Sequence, residues 1–94
     1  MKVYHGSDEH SGVLVTGTYV TKYFKDACKF GYRAAVMSDS PTVFVHTAEV
    51  KSEDLKRDRA RDGAFILKTM AFVDEVREFP TFETPYKLTK FKLE

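Results

Sequence analysis

Two short segments carry side chains whose types and spacing suit ligand chemistry. The first is Tyr4-His5-Gly6-Ser7. An imidazole and a hydroxyl at the end of a β-type stretch can contact a ligand at a sheet edge, and the glycine lets that ligand approach the backbone. The plainer reading of a His-Gly pair is a turn. The second segment is Gly17-Thr18-Tyr19-Val20-Thr21. A tyrosine on a short strand can offer its ring to a flat ligand, and such stacking is worth about 0.5–1.5 kcal/mol beyond burial. The plainer reading of Tyr19 is a β-prone residue packed on a helix. Carboxylates gather later, in Glu53-Asp54-Leu55-Lys56-Arg57-Asp58-Arg59-Ala60-Arg61-Asp62. Asp54, Asp58 and Asp62 recur every four residues, as do Arg57 and Arg61. On a helix they would form two charge stripes, a solvated and salt-bridged surface face. Lys56, Arg57, Arg59 and Arg61 meeting phosphates or an acidic partner is the alternative, but basic residues interleaved with acids make a poor phosphate track.

The elements that must position these groups are few. The chain has 94 residues, enough for one domain over 1–94 and not for two cores. Lys2–Tyr4, Val13–Thr16 and Thr18–Thr21 are β-prone. Phe24, Ala27, Cys28, Gly31, Ala34 and Ala35 then form one apolar stripe at helical spacing, with Lys22, Lys25, Asp26, Lys29 and Arg33 opposite. Thr21 is placed to cap this helix, and Ser38-Asp39-Ser40-Pro41 ends it. Gly31 costs about 1 kcal/mol of helix propensity against Ala, which suits a site where the helix packs closely on a sheet. Thr42–Val50 is the strongest strand and is apolar on both faces at its start, as for an interior strand. Ala64–Met70, Val73–Phe79 and Tyr86–Leu93 are three further strands, the last two separated by Pro80 and Pro85. Several short strands around one main helix predict an α+β fold with a small, twisted, mostly antiparallel sheet.

Taken in order, the first two segments resemble the ADP-ribosyltransferase family. A strand ending in Tyr-His-Gly-Ser, a Gly-x-Tyr-Val-Thr segment, and a helix with an alanine and an aromatic three residues on (Ala27 and Phe30) match its His-Tyr-acid branch. That branch includes the diphtheria-toxin-like and poly-ADP-ribose-polymerase-like enzymes and the small rifampin ADP-ribosyltransferases. The run Val43–Val50 followed by Glu53-Asp54-Leu55 is similar to the central strand and acidic loop of the small members. The resemblance implies an ADP-ribosyltransferase-like fold that binds NAD as substrate. His5 would hold the ribose, the Gly6 backbone would clamp the nicotinamide carboxamide, and Tyr19 would stack on the nicotinamide ring, with Ser7 and Thr21 beside them. Many members place a glutamate just before the aromatic that opens a late strand, where this chain has Ala64 before Phe65. The acid of the triad is therefore Asp54, Asp58 or Asp62. The resemblance implies transfer of ADP-ribose to a macromolecular acceptor, most simply a protein. A non-catalytic module on the same fold, a small inhibitor or regulator of a protein partner, is the alternative. The small size suits a phage-type effector acting on one host protein.

The remaining residues bound these readings. Lys plus Arg number 15 and Asp plus Glu number 14, a net charge of +1, so the chain has no overall electrostatic footprint for nucleic acid. A single cysteine, Cys28, excludes an internal disulfide, and its place on the apolar stripe makes it a core residue. One cysteine and three scattered histidines carry no metal motif. There is no phosphate loop and no nucleophile elbow. No apolar run approaches the roughly 20 residues of a membrane span, and Met1–Gly6 lacks the apolar core of a signal peptide, which together give a cytoplasmic expectation. His46 shares a strand face with Phe44 and Ala48 and reads as a satisfied core or sheet-edge histidine. His10 lies in a polar loop. Lys87, Lys90 and Lys92 read as protection of an edge strand.

Overall fold

A computed structural model describes residues 1–83. The strands are β1 (Lys2–Ser7), β2 (Val13–Leu14), β3 (Tyr19–Thr21), β4 (Thr42–Glu49), β5 (Leu55–Arg57), β6 (Ala64–Leu67), β7 (Ala71–Phe72) and β8 (Glu75–Pro80), with one α-helix, α1 (Phe24–Met37). Six strands form one antiparallel sheet in the order β5-β6-β3-β1-β4-β8, and β2 and β7 form a separate two-stranded ribbon. This is the expected α+β architecture. The strand expected at Tyr86–Leu93, with Lys87, Lys90 and Lys92, lies outside the described residues.

The main sheet is buried on both faces, which explains the two-sided apolar character of β4. Val43 and Val45 face α1 and pack with Ala27, Cys28 and Ala35, flanked by Tyr4, Phe24, Tyr32 and Phe79. On the opposite face Val3, Val20, Ala48, Val50 and Leu67 pack with Leu14 and Ala71 of the ribbon. The helix stripe is as expected, since Ala27, Cys28, Gly31 and Ala35 are its buried residues. All four are small, so the helix axis comes close to β1. A Cβ on Gly6 would lie 1.7 Å from the Ala27 carbonyl oxygen, and one on Gly31 would lie 3.2 Å from the Gly6 Cα. The two glycines therefore form the helix–sheet crossing point, and this contact outweighs the propensity lost at Gly31.

Several boundaries differ from expectation for identifiable reasons. The helix cap is Tyr23 rather than Thr21, because Thr21 remains in β3, where its Oγ1 accepts the Tyr23 N–H at 3.1 Å. The segment 51–62 is not a striped helix. It forms a 3-10 turn at Ser52–Asp54, then β5, then turns up to Gly63. A helix there would have only Leu55 and Ala60 to bury, whereas as a strand Leu55 pairs with Leu67 and the free edge of β6 is covered. Among the described residues the only ion pair joins the Met1 amino group to Glu49, so the 51–62 charges do not form the expected salt-bridged face. Pro80 is tolerated at the end of β8 because, among the described residues, that strand lies at the sheet edge.

Cys28 is fully buried, and burial pushes its thiol up to about 11. Since the thiolate is the reactive form, native protein should resist alkylation by iodoacetamide at neutral pH, with labelling appearing only as denaturant unfolds the chain. Fast labelling of native protein would show that the helix face opens locally.

Candidate functional site

The site forms where the main sheet splits. β1 pairs with β4 along its whole length, from Lys2–Glu49 to Ser7–Phe44, but with β3 only at Tyr4–Thr21. The direction of each peptide group follows from the register. The Val50 N–H donates to the Met1 carbonyl at 2.9 Å, extending the β1–β4 ladder outward by one pair. Residues 3, 5 and 7 therefore direct their peptide groups to β4, while Tyr4 and Gly6 direct theirs toward β3. On β3, the bonds from the Lys22 N–H to the Gly63 carbonyl and from the Leu67 N–H to the Thr18 carbonyl turn Tyr19 and Thr21 toward β1.

The next rung of the β1–β3 ladder would join Gly6 to Tyr19, and it is absent. The His5 imidazole takes the Tyr19 carbonyl instead, with Nδ1 2.8 Å from the oxygen. A carbonyl can only accept, so Nδ1 carries the proton. Burial lowers the His5 pKa and outweighs the opposing effect of the Tyr19 carbonyl, which favours a neutral ring with Nε2 as an acceptor. The substitution frees the Gly6 N–H and carbonyl from that rung, side by side as a donor and an acceptor.

A cavity of about 440 Å³ opens at the split, inside the ~300–1,000 Å³ range of small-molecule pockets. Tyr4, Gly6, Tyr19 and Thr21 line it from the face that α1 covers, and His5 and Val20 reach it through the split. Ala27 and Phe30 form the helix wall, and Asp58, Arg61 and Ala64 the opposite wall. Tyr19 is 61 % exposed, so its ring is not packed away on the helix. The Arg61 guanidinium lies 4.5 Å from the centre of the Phe30 ring, joining the two walls by a cation–π contact.

The wall carrying Asp58 is held by specific bonds. The Asp58 N–H donates to the Ala64 carbonyl at 3.0 Å, and its Oδ1 accepts the Ala60 N–H at 3.0 Å. The Tyr23 hydroxyl donates to Asp62 Oδ2 at 3.2 Å, fixing the loop to the start of α1. Gly63 closes the loop with a φ of +76°.

The structure thus brings together His5, Gly6, Tyr19, Thr21 and Asp58. The other expected residues lie elsewhere. The Ser7 hydroxyl accepts the Glu9 N–H at 3.1 Å and is spent on the turn after β1, outside the cavity lining. Asp54 belongs to the 3-10 turn, also away from the lining, and Asp62 is bonded to Tyr23. Ala64 is 6 % exposed at the cavity wall. The sequence offered Arg61 only as one of four basic residues that could meet phosphates or an acidic partner, and the interleaved charges gave no sign that this guanidinium alone would be drawn onto Phe30.

His46 lies behind the site. It is 1 % exposed, and both ring nitrogens are engaged: Nδ1 with the His5 carbonyl at 3.0 Å and Nε2 with the Ser11 N–H at 3.0 Å. It is a satisfied core histidine, as expected. Among the described residues no three His, Cys, Asp or Glu side chains are arranged to hold a metal ion, and no helix is long and apolar enough to cross a membrane.

The chain matches no protein-family model, no curated protein and no solved structure.

Proposed function

We propose that the protein is a minimal ADP-ribosyltransferase-like domain that binds NAD at the split between β1 and β3 and transfers ADP-ribose to a protein acceptor. The observation that supports this most is the missing Gly6–Tyr19 rung. A carboxamide has one N–H face and one carbonyl, and the freed Gly6 carbonyl and N–H match that pair. Tyr19 is placed to stack on the nicotinamide ring, and His5 Nε2 is free to accept a ribose hydroxyl. In the reaction the bond between the nicotinamide nitrogen and the ribose carbon breaks. Its electron pair goes to the nicotinamide, which leaves neutral. The positive charge on the ribose is stabilised by the Asp58 carboxylate until the acceptor nucleophile attacks that carbon and gives up its proton to water or to Asp58. A fixed carboxylate beside a charge that develops only in the transition state lowers the barrier selectively.

A non-catalytic binding module on the same fold is the second reading, and it rests on Ala64 standing at the cavity wall in place of an acid. Calorimetric titration with NAD, combined with an assay of released nicotinamide, separates the two. Wild type should bind NAD and release nicotinamide in the presence of cell lysate as acceptor. Asp58→Asn should keep NAD affinity within a few-fold while release falls by about 10²–10³, and Asp54→Asn and Asp62→Asn should lose far less. Binding without release in any form supports the module. Absence of NAD binding removes the nucleotide reading altogether.

A further inference from the structure

We infer that His46 is a positioning residue for this site: its ring donates to the His5 carbonyl and so steadies the His5–Gly6 peptide whose edge would meet a carboxamide, and while unprotonated it also ties the 8–12 loop to that peptide. The inference rests on the nicotinamide reading of the cavity for its ligand, and on three hydrogen bonds for its mechanism.

Those bonds form a chain whose direction is forced. The Ser11 N–H can only donate, so His46 Nε2 accepts it. The His5 carbonyl can only accept, so His46 Nδ1–H donates to it. The His5 carbonyl and the Gly6 N–H belong to one planar trans peptide and point in opposite directions. The β1–β4 pairing already turns the His5 carbonyl toward β4, and the His46 ring adds a second donor to it, stiffening the peptide that presents the Gly6 N–H at the cavity. The His5 ring then continues the chain by donating from Nδ1 to the Tyr19 carbonyl. One tautomer of a buried imidazole thus links the loop, the Gly6 peptide and the split in the sheet.

Protonation breaks this arrangement at one bond. An imidazolium has N–H groups on both nitrogens, so Nε2 would face the Ser11 N–H as donor against donor. Among the described residues no carboxylate forms an ion pair with the ring. The neighbouring titratable groups are the imidazoles of His5 on β1, 5.8 Å away, and of His10 in the loop, 6.2 Å away, while β8 sets Val76 opposite and places Glu78 one pair along the same face, opposite Phe44. Burial lowers the His46 pKa, outweighing the stabilising bond to the His5 carbonyl, and the two imidazoles add to the lowering. A group whose folded pKa is depressed binds protons more readily when unfolded or locally open. The closed arrangement is therefore fully favoured above the ordinary imidazole value and loses stability as pH falls below it.

Two independent readouts test this. The first is the protection factor of the Ser11 amide, measured by NMR hydrogen exchange and corrected for intrinsic rate. It should fall in wild type between about pH 7 and pH 5 and stay flat in His46→Gln, whose side-chain amide can donate and accept but does not titrate. The second is affinity for NAD against ADP-ribose, which lacks the nicotinamide. His46→Phe should weaken NAD binding about tenfold, the effect of one misplaced hydrogen bond, and leave ADP-ribose unchanged, with His46→Gln restoring NAD affinity. Equal losses for both ligands, or unchanged NAD affinity in a folded His46→Phe protein, would overturn the positioning role. So would Ser11 protection that ignores pH in wild type. If wild type binds neither ligand the NAD proposal fails, while the Ser11 measurement still decides whether His46 latches the loop; if His46→Phe does not fold, the wild-type and His46→Gln pH series decide it.

Discussion

Gly6→Ala should destabilise the protein by about 3 kcal/mol or more, at or beyond the upper end of overpacking penalties. The added methyl would sit 1.7 Å from the Ala27 carbonyl oxygen and 2.7 Å from the Gly31 nitrogen. Both are backbone atoms of α1, so no side chain can turn aside to make room. Relief requires the helix to lift from β1, which would open the packing of Ala27, Cys28 and Ala35 on Val43 and Val45. Gly31→Ala is the informative contrast. Its closest approach, 2.6 Å, is to Val43 Cγ1, the end of a side chain, and the new alanine gains about 1 kcal/mol of helix propensity. It should cost distinctly less. Urea denaturation of both variants checks the ranking, and a Gly6→Ala protein as stable as wild type would mean that the helix does not cross β1 at these two glycines. The same crossing has a consequence for the site. Gly6 cannot be exchanged for packing reasons alone, so loss of ligand binding in Gly6→Ala would not by itself reveal a contact between Gly6 and the ligand.

Much of this architecture was legible in the sequence because it rests on local periodicity. The stripe from Phe24 to Ala35 and the apolar run Val43–Ala48 each identify their element without help from the rest of the chain. Gly31, a poor helix former on the buried face, even marked the close crossing. What could not be read depends on partners distant in sequence. Residues 54–62 repeat with helical period, yet the deciding factor is the uncovered edge of β6, which lies beyond them in the chain. The same holds for the acid. Asp54, Asp58 and Asp62 are equivalent by spacing, and only the turn held by the Ala64 carbonyl and the Tyr23–Asp62 bond places Asp58 alone on the cavity wall. Ser7 was grouped with His5 and Gly6 by adjacency, but the strand ends there and its hydroxyl serves the turn. Most of all, the absent rung between Gly6 and Tyr19 is a property of two strands together, and nothing in either segment announces it.

That absent rung makes His5→Ala the second large effect expected. Without the imidazole the Tyr19 carbonyl loses its partner, and the group in register to replace it is the Gly6 N–H. Gly6 and Tyr19 are each directed toward the other strand, one rung beyond Tyr4–Thr21. The ladder can therefore zip closed in this variant, consuming the donor and acceptor that the cavity offers. Ligand affinity should then fall by more than the loss of one imidazole contact, at least about 100-fold for NAD, or roughly 3 kcal/mol. Folding stability should change by no more than about 1 kcal/mol, because one hydrogen bond replaces another. Tyr19→Ala provides the scale: it removes the stacking ring without supplying a backbone partner, and should cost about tenfold in affinity. The split itself can be followed through the Gly6 amide, whose hydrogen exchange should slow in His5→Ala as it enters the ladder. An amide that exchanges at the same rate in both proteins, together with a loss of affinity no greater than that of Tyr19→Ala, would show that His5 acts only as a contact and does not hold the sheet apart.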